Sequence, residues 1–374
     1  MDLPRMTRSV HSLNHVSSFK DAVNSINRAV KNSLPSKKGY DCVRVLTLRW
    51  ANDDLGLEDI ESELLKFFFD KFHYATDSFL IPASSNREAR LELKKKLWNL
   101  ISKHDTPSTL FIVIYEGHSF LPTGSSTFTL CGSTHPAAPT LPWGNVESSL
   151  EDVCHGDVLI ILDSCFSTAA ATGAGDIEYL AASAQESVAS GCVDRSFTRR
   201  FIDFLATLEH PEITVAQVHA RLIKQSNTPD SGLDYTPVHI AHLDKPSITL
   251  RPLHKMPKEV ATLRRTGELS DGKVLISVLL HGKSSIPRIE EWKRWLIAAI
   301  PEAVADVKIE AVFESMSSLC LVTMPVAVWD MLKANDAYEF IAYVESHNLL
   351  LSQPYPSNIL EGRAGNVQLP TREK

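Results

Sequence analysis

Two kinds of apolar spacing alternate along most of this chain. Residues 43–49 (VRVLTLR), 110–115 (LFIVIY) and 158–162 (VLIIL) are short runs, apolar nearly throughout. Between them, apolar residues recur at helical spacing, as at Leu57, Ile60, Leu64 and Phe68. The runs predict strands. Residues 57–72 predict a helix, 79–81 a short strand ending at Pro82, and 85–103 a helix that opens on Ser and is rich in Leu and Lys. Residues 179–183 and 237–241 predict a fifth and a sixth strand, with helices near 197–208 and 215–224 between them. Strands that are apolar on both faces belong in a mostly parallel sheet covered by helices, so the fold class is α/β. Ligands of such sheets bind outside the carboxyl ends of the strands. The residues after Tyr115 and Leu162 are therefore where chemistry is expected.

The pattern changes near both ends. Residues 1–38 are polar apart from Phe19, Val23, Ile26 and Val30, whose spacing predicts one short amphipathic helix. Residues 39–255 carry the α/β pattern, and the polar stretch 256–272 predicts a linker. Residues 273–352 then predict strand 274–280, helix 288–299, strands 307–313 and 319–324, helix 326–332 and strand 340–344. That order, βαββαβ, predicts a small ferredoxin-like α+β domain. Residues 353–374 contain Pro and polar residues and predict a tail.

Composition narrows the classes. With 374 residues the chain is long for one core and suits a large and a small domain. A formal net charge of −7, with no basic stripe, excludes nothing enzymatic but points away from nucleic acid. No apolar run approaches the roughly 20 residues of a membrane helix, and the first residues, MDLPRMTRSV, carry no apolar core of a signal peptide. The six cysteines show no C-x-x-C pair, which suits a reducing, cytoplasmic setting. Cys154, His155, Cys165 and His118 are spaced too irregularly for a zinc set, so no metal is expected.

Two segments stand at the ends of the most apolar strands: Tyr115-Glu116-Gly117-His118-Ser119 and Asp163-Ser164-Cys165-Phe166-Ser167. A thiol becomes a useful nucleophile when a nearby imidazole takes its proton. If the two strands are neighbours, His118 and Cys165 sit side by side. Residues two apart on an extended segment point the same way, so Glu116 and Asp163 should lie near that pair. They can serve substrate binding, cap nearby helices or pair with Arg199 or Arg200.

In this order the motifs resemble those of the caspase and metacaspase family of cysteine peptidases. The resemblance rests on Tyr115-x-Gly117-His118 and Leu162-Asp163-x-Cys165. It continues in the segment from Glu178 to Glu186, in Ser196-Phe197-Thr198 and in Thr236-Pro237-Val238, and covers about residues 40–250. It implies a caspase-like three-layer α-β-α domain with a mostly parallel six-stranded sheet. It also implies a Cys165/His118 dyad and an oxyanion hole from the backbone N–H groups of Ser119 and Cys165. Asp163 then matches the S1 position that selects Arg or Lys in metacaspases, with Glu116 and Asp53 (or Asp54) as further acidic contributors. The implied function is a cysteine endopeptidase that cleaves protein or peptide substrates after Arg or Lys, with cell death as an analogy of fold alone.

The chain also departs from the pattern. Ser119 stands where the family has Gly, and Phe166-Ser167-Thr168 where it has His-Ser-Gly. The alternative is a degenerate, pseudo-caspase module that recruits a protein partner through its C-terminal domain; a caspase-like preference for acidic P1 is a third reading. No cofactor is expected. The stretch 146–153, where many metacaspases hold calcium, offers only Glu147, Glu151 and Asp152, so no strong calcium site is expected. No Lys or Arg lies between Cys165 and Arg195, which predicts an uncut chain there if S1 takes basic residues.

Overall fold

A computed structural model of the chain describes residues 15–125, 127–153, 155–170, 176–182, 196–209, 212–226, 236–241, 245–253, 272–281, 306–313 and 318–349. The expected linker, the helix at 288–299, the uncut segment up to Arg195 and the tail lie wholly or largely outside them.

The large unit is built on β1 (Cys42–Trp50), β2 (Ala75–Ile81), β3 (Thr109–Glu116), β7 (Asp157–Asp163), β8 (Ile177–Ala181) and β10 (Val238–Ile240). They form one six-stranded sheet in the order β10-β8-β7-β3-β1-β2. All neighbours are parallel except β10, which runs antiparallel to β8 at the edge. Every residue of β3 is buried, and its side chains divide by the period of two. Leu110, Ile112 and Ile114 face α2 (Glu58–Phe67), α5 (Phe197–Ala206) and α6 (Val215–Ser226). Phe111, Val113 and Tyr115 face α3 (Asn86–His104) and α4 (Gly144–Leu150). The result is the three-layer arrangement expected from the run of buried strands.

Local chemistry sets the helix ends. Ser85 and Ser196 sit in extended backbone and accept the N–H groups of Glu88 and Arg199, capping α3 and α5. The apolar row of α2 runs on through a π turn over Phe68–Phe72, which ends where His73 adopts φ 58. β2 is longer than its apolar stretch predicts because it is an edge strand. Ala75–Ser78 is mostly exposed, so its polar residues cost little and hide the strand from a hydrophobicity reading. A side sheet of β4 (His118–Phe120), β5 (Thr129–Cys131) and β6 (Thr140–Pro142) follows β3. The two-residue strands β9 (Ile213–Thr214) and β11 (Thr249–Leu250) pair with each other.

The C-terminal unit contains β12 (Lys273–Leu280), β13 (Lys308–Phe313), β14 (Ser318–Pro325), α7 (Val326–Asp330) and β15 (Tyr338–Val344). Its strand order is β13-β14-β12-β15, with every pair antiparallel, as a split βαβ unit requires. The N-terminal helix α1 (Phe19–Ser33), capped by Ser18, packs here: Val23, Ile26 and Val30 share a core with Val274, Ile276 and Val322. Ala216, Ala220 and Ile223 of α6 enter the same core, so the two units share buried apolar surface. No helix among the described residues is long and apolar enough to cross a membrane.

Candidate functional site

Three chain segments leave the carboxyl ends of β1, β3 and β7. The strand that follows β1 in sequence, β2, lies on one side of it, and β3 lies on the other, so the crevice between β1 and β3 is a topological switch point. Glu116 and Asp163 are register partners on β3 and β7. His118 and Cys165 each follow two residues later.

Gly117 makes the turn out of β3. Its φ is 146, which favours glycine, and an added Cβ would stand 2.9 Å from the Tyr115 hydroxyl. That hydroxyl, fully buried, donates to the His118 carbonyl at 2.6 Å. The His118 ring is fixed at its other end by Asp54, whose Oδ1 lies 2.6 Å from Nε2. A carboxylate only accepts, so Nε2 carries the hydrogen and Nδ1 is left to exchange a proton. The turn that presents Asp54 is closed by the Asp53 N–H on the Trp50 carbonyl at 3.2 Å. Asp53 itself accepts the Leu57 N–H at 3.3 Å, at the start of α2.

Cys165 is half-buried and forms no disulfide. It stands just before Phe166, whose φ of 55 is left-handed, and a 3₁₀ turn over Ser167–Ala170 follows. A bulky residue rarely adopts that conformation; strain of this kind gathers at functional sites. The Ser119 hydroxyl donates to the Cys165 carbonyl, tying the ends of β3 and β7 together. Cys131, which the sequence reading did not single out, pairs with His118 across β4 and β5. Burial pushes its thiol up to about 11, and the neighbouring Cys165 adds to this.

Beneath these groups lies an acidic floor. Glu116 is buried, neither carboxylate oxygen meets a hydrogen-bond partner at bonding geometry among the described residues, and burial raises it to about 8; the Thr198 side chain pulls the other way and the Asp163 charge adds to the rise. Asp163 is raised too, by burial, but Oδ2 accepts the Thr198 N–H at 2.8 Å in the first turn of α5. Arg199 makes two 2.7 Å bonds to Glu63, and Arg200 lies 3.7 Å from Asp203.

The other expected sets behave differently. His155 lies at the amino end of β7, its N–H bound to Asp105, at the opposite strand end from Cys165 and His118, and Cys154 falls outside the described residues. Glu147, in the stretch compared with calcium sites, accepts the Tyr179 hydroxyl at 2.6 Å. A polar cleft of about 830 Å³ opens at that same amino end, lined by Lys38, Tyr40, Asp157, Asp176 and Lys245. Lys38 is paired there with Asp157 and Lys245 with Asp176.

No family model and no curated protein matches the chain. Among solved structures it is similar to caspase-1 from Spodoptera frugiperda. That likeness has 12% identity and a TM-score of 0.38, and covers 56% of this chain and 90% of that one. A structure of pro-sf-caspase-1 is similar as well, with 12% identity and a TM-score of 0.33, covering 56% and 94%. Superpositions this loose leave the case to the strand order and the side chains.

Proposed function

We propose that this protein is a cysteine endopeptidase in which Cys165 is the nucleophile and His118 its acid and base. The observation that carries the reading is the placement of His118. Its ring is oriented by Asp54, and it stands at the end of the strand next to the one whose strained exit bears the thiol. In the proposed cycle the Cys165 Sγ–H proton passes to His118 Nδ1, and Sγ attacks the scissile carbonyl carbon. The oxygen takes the negative charge beside the N–H groups of Ser119 and Cys165. As the C–N bond breaks, Nδ1 returns the proton to the leaving amine, and a thioester remains. A water, deprotonated by Nδ1, then releases the acid product and restores the thiol. Thiol, imidazole and backbone donors suffice, so the chemistry requires no cofactor.

Asp54 holds the imidazole tautomer as an orienting carboxylate, not as a substrate contact. The substrate preference is read from Glu116 and Asp163. Two buried oxygens on Glu116 without a hydrogen bond among the described residues, beside a second carboxylate, are costly, and a guanidinium or ammonium group from an Arg or Lys at P1 would satisfy them. Among the described residues Cys42, Cys131, Cys165 and Cys320 form no disulfide, which suits a reducing setting such as the cytoplasm.

Peptides carrying a fluorogenic leaving group after Arg, Lys or Asp test this directly. Turnover after Arg or Lys, with an alkylating peptide attached to Cys165, is the expected result. Cleavage only after Asp would remove the specificity. No turnover and no labelling of Cys165 would leave a binding module in place of an enzyme.

A further inference from the structure

The joint between the two units holds a second cluster of reactive side chains, sealed from solvent. His219 of α6, His239 of β10 and Asp330 of α7 each bring one ligand atom within 4.8 Å of the others. Asp330 Oδ2 is the meeting point: it lies 2.6 Å from His219 Nδ1 and 3.2 Å from His239 Nδ1. Side-chain exposure is 5%, 0% and 1% for the three residues.

The outer nitrogens settle where the ring hydrogens are. His219 Nε2 lies 3.0 Å from the Pro237 carbonyl, which can only accept, so this nitrogen is the donor. His239 Nε2 lies 2.7 Å from Glu178 Oε1. Glu178 also accepts the Ser247 hydroxyl at 2.6 Å and the Ile248 N–H at 2.7 Å, so both its oxygens act as acceptors. With their outer nitrogens donating, the two rings turn Nδ1 toward the same carboxylate oxygen. Two imidazole nitrogens and a carboxylate oxygen meeting at one buried point call for something positive between them, a ring proton or a metal ion.

The geometry points to a site for a divalent cation of the zinc class, held by His219 Nδ1, His239 Nδ1 and Asp330 Oδ2. The donor set of two imidazoles and one carboxylate is of the kind zinc takes. The outer shell matches as well: ligating histidines present their second N–H to a carboxylate or a backbone carbonyl, here Glu178 and Pro237. Lys333 Nζ, 2.9 Å from Asp330 Oδ1, occupies the other carboxylate oxygen and leaves Oδ2 as the single ligand atom. The three protein ligands leave one position of a tetrahedron for water. A doubly charged cation also carries the same charge as two additional ring protons, so either would reconcile the lone pairs. Because α6 and β10 belong to the large unit and α7 to the small one, the ion would fasten the two together. Sealed from substrate, it has a structural role, and the reading is independent of the peptidase proposal.

The test uses the full chain with Cys165→Ala, so that no reactive thiol competes for metal. After chelation and dialysis, zinc is titrated by calorimetry and counted by elemental analysis. The expected result is one zinc per chain and a raised thermal midpoint. Both are lost in a His219→Gln/His239→Gln variant, and Glu178→Gln weakens affinity by roughly 10- to 100-fold. Binding no stronger than in the double variant, or binding that survives in it, overturns the site and leaves two protons as what holds the cluster. If the double variant does not fold, cobalt(II) in the Cys165→Ala chain decides. X-ray absorption showing two imidazoles and a carboxylate oxygen supports the site, and an aquo-like spectrum overturns it.

Discussion

The sheet's carboxyl edge and the joint between the units use the same side chains to opposite ends. At the edge, His118 meets Asp54, and both remain partly open to solvent, at 18% and 48% side-chain exposure. At the joint, His219 and His239 meet Asp330 with almost no exposure. The edge is also incompletely satisfied: the carboxylate oxygens of Glu116 make no hydrogen bond among the described residues, and Phe166 is held in a left-handed conformation. Glu178, at the joint, accepts three donors. A satisfied, sealed cluster holds structure together. An accessible one with strain and unmet hydrogen-bonding capacity is free to do chemistry on something that arrives.

That contrast can be broken by substitution, and the largest effect falls at the edge. Cys165→Ala should lower kcat/KM by at least about 10⁴-fold, in line with loss of a covalent nucleophile, while the urea midpoint stays close to that of the parent. A variant that keeps turnover would move the nucleophile elsewhere. The reverse signature belongs to the joint. Glu178→Ala leaves a buried imidazole, a hydroxyl and a backbone N–H without their acceptor, and should cost about 3–5 kcal/mol in urea unfolding. A loss under about 1 kcal/mol, the scale of a single ordinary hydrogen bond, would show that the joint is not fastened as described.

Asp54→Asn comes next. The carboxylate is half-exposed, so stability should hardly change, but the ring loses the partner that fixes its tautomer. A fall in kcat of roughly 10²-fold or more is expected, with KM held and the pH profile of kcat displaced. An unchanged profile would reduce Asp54 to a surface contact.

Glu116→Gln gives a smaller, pH-dependent effect. Burial raises this carboxyl from 4.5 to about 8. Its contribution to stability is therefore complete below about 4.5 and is lost as pH rises through 8. Over that window the wild type should lose stability relative to Glu116→Gln by roughly 1 kcal/mol per pH unit. Parallel stability curves for the two proteins between pH 5 and 9 would show that the group is not buried as an acid. The smallest effect is assigned to Tyr115→Phe, which removes the hydroxyl that holds the His118 carbonyl. One hydrogen bond is worth about 1 kcal/mol, and a drop in kcat of up to about tenfold should accompany it.

Much of the edge was legible along the chain because a buried parallel strand writes itself as an uninterrupted apolar run. Residues 110–115 and 158–162 appear as β3 and β7, and the register Glu116 with Asp163 follows from their being neighbours. The short strands of the side sheet escaped notice, since three residues carry too little pattern to separate from a loop. So did the role of Asp54. The sequence offered it, beside Asp53, as an acidic contributor to substrate binding, and a spacing of 64 residues gives no sign that it meets His118.

The joint was legible nowhere. His219, His239 and Asp330 stand on a helix, an edge strand and a helix of another unit, and no spacing connects them. Periodicity reports which face of an element is buried, and so it announced the layers, the ferredoxin-like order and the two strand ends that bear Cys165 and His118. It carries no information on which buried faces meet. The meeting of α6, β10 and α7, the place of α1 in the C-terminal core and the turn of Asp54 toward His118 depend on packing between distant segments, and packing is a property of the folded chain.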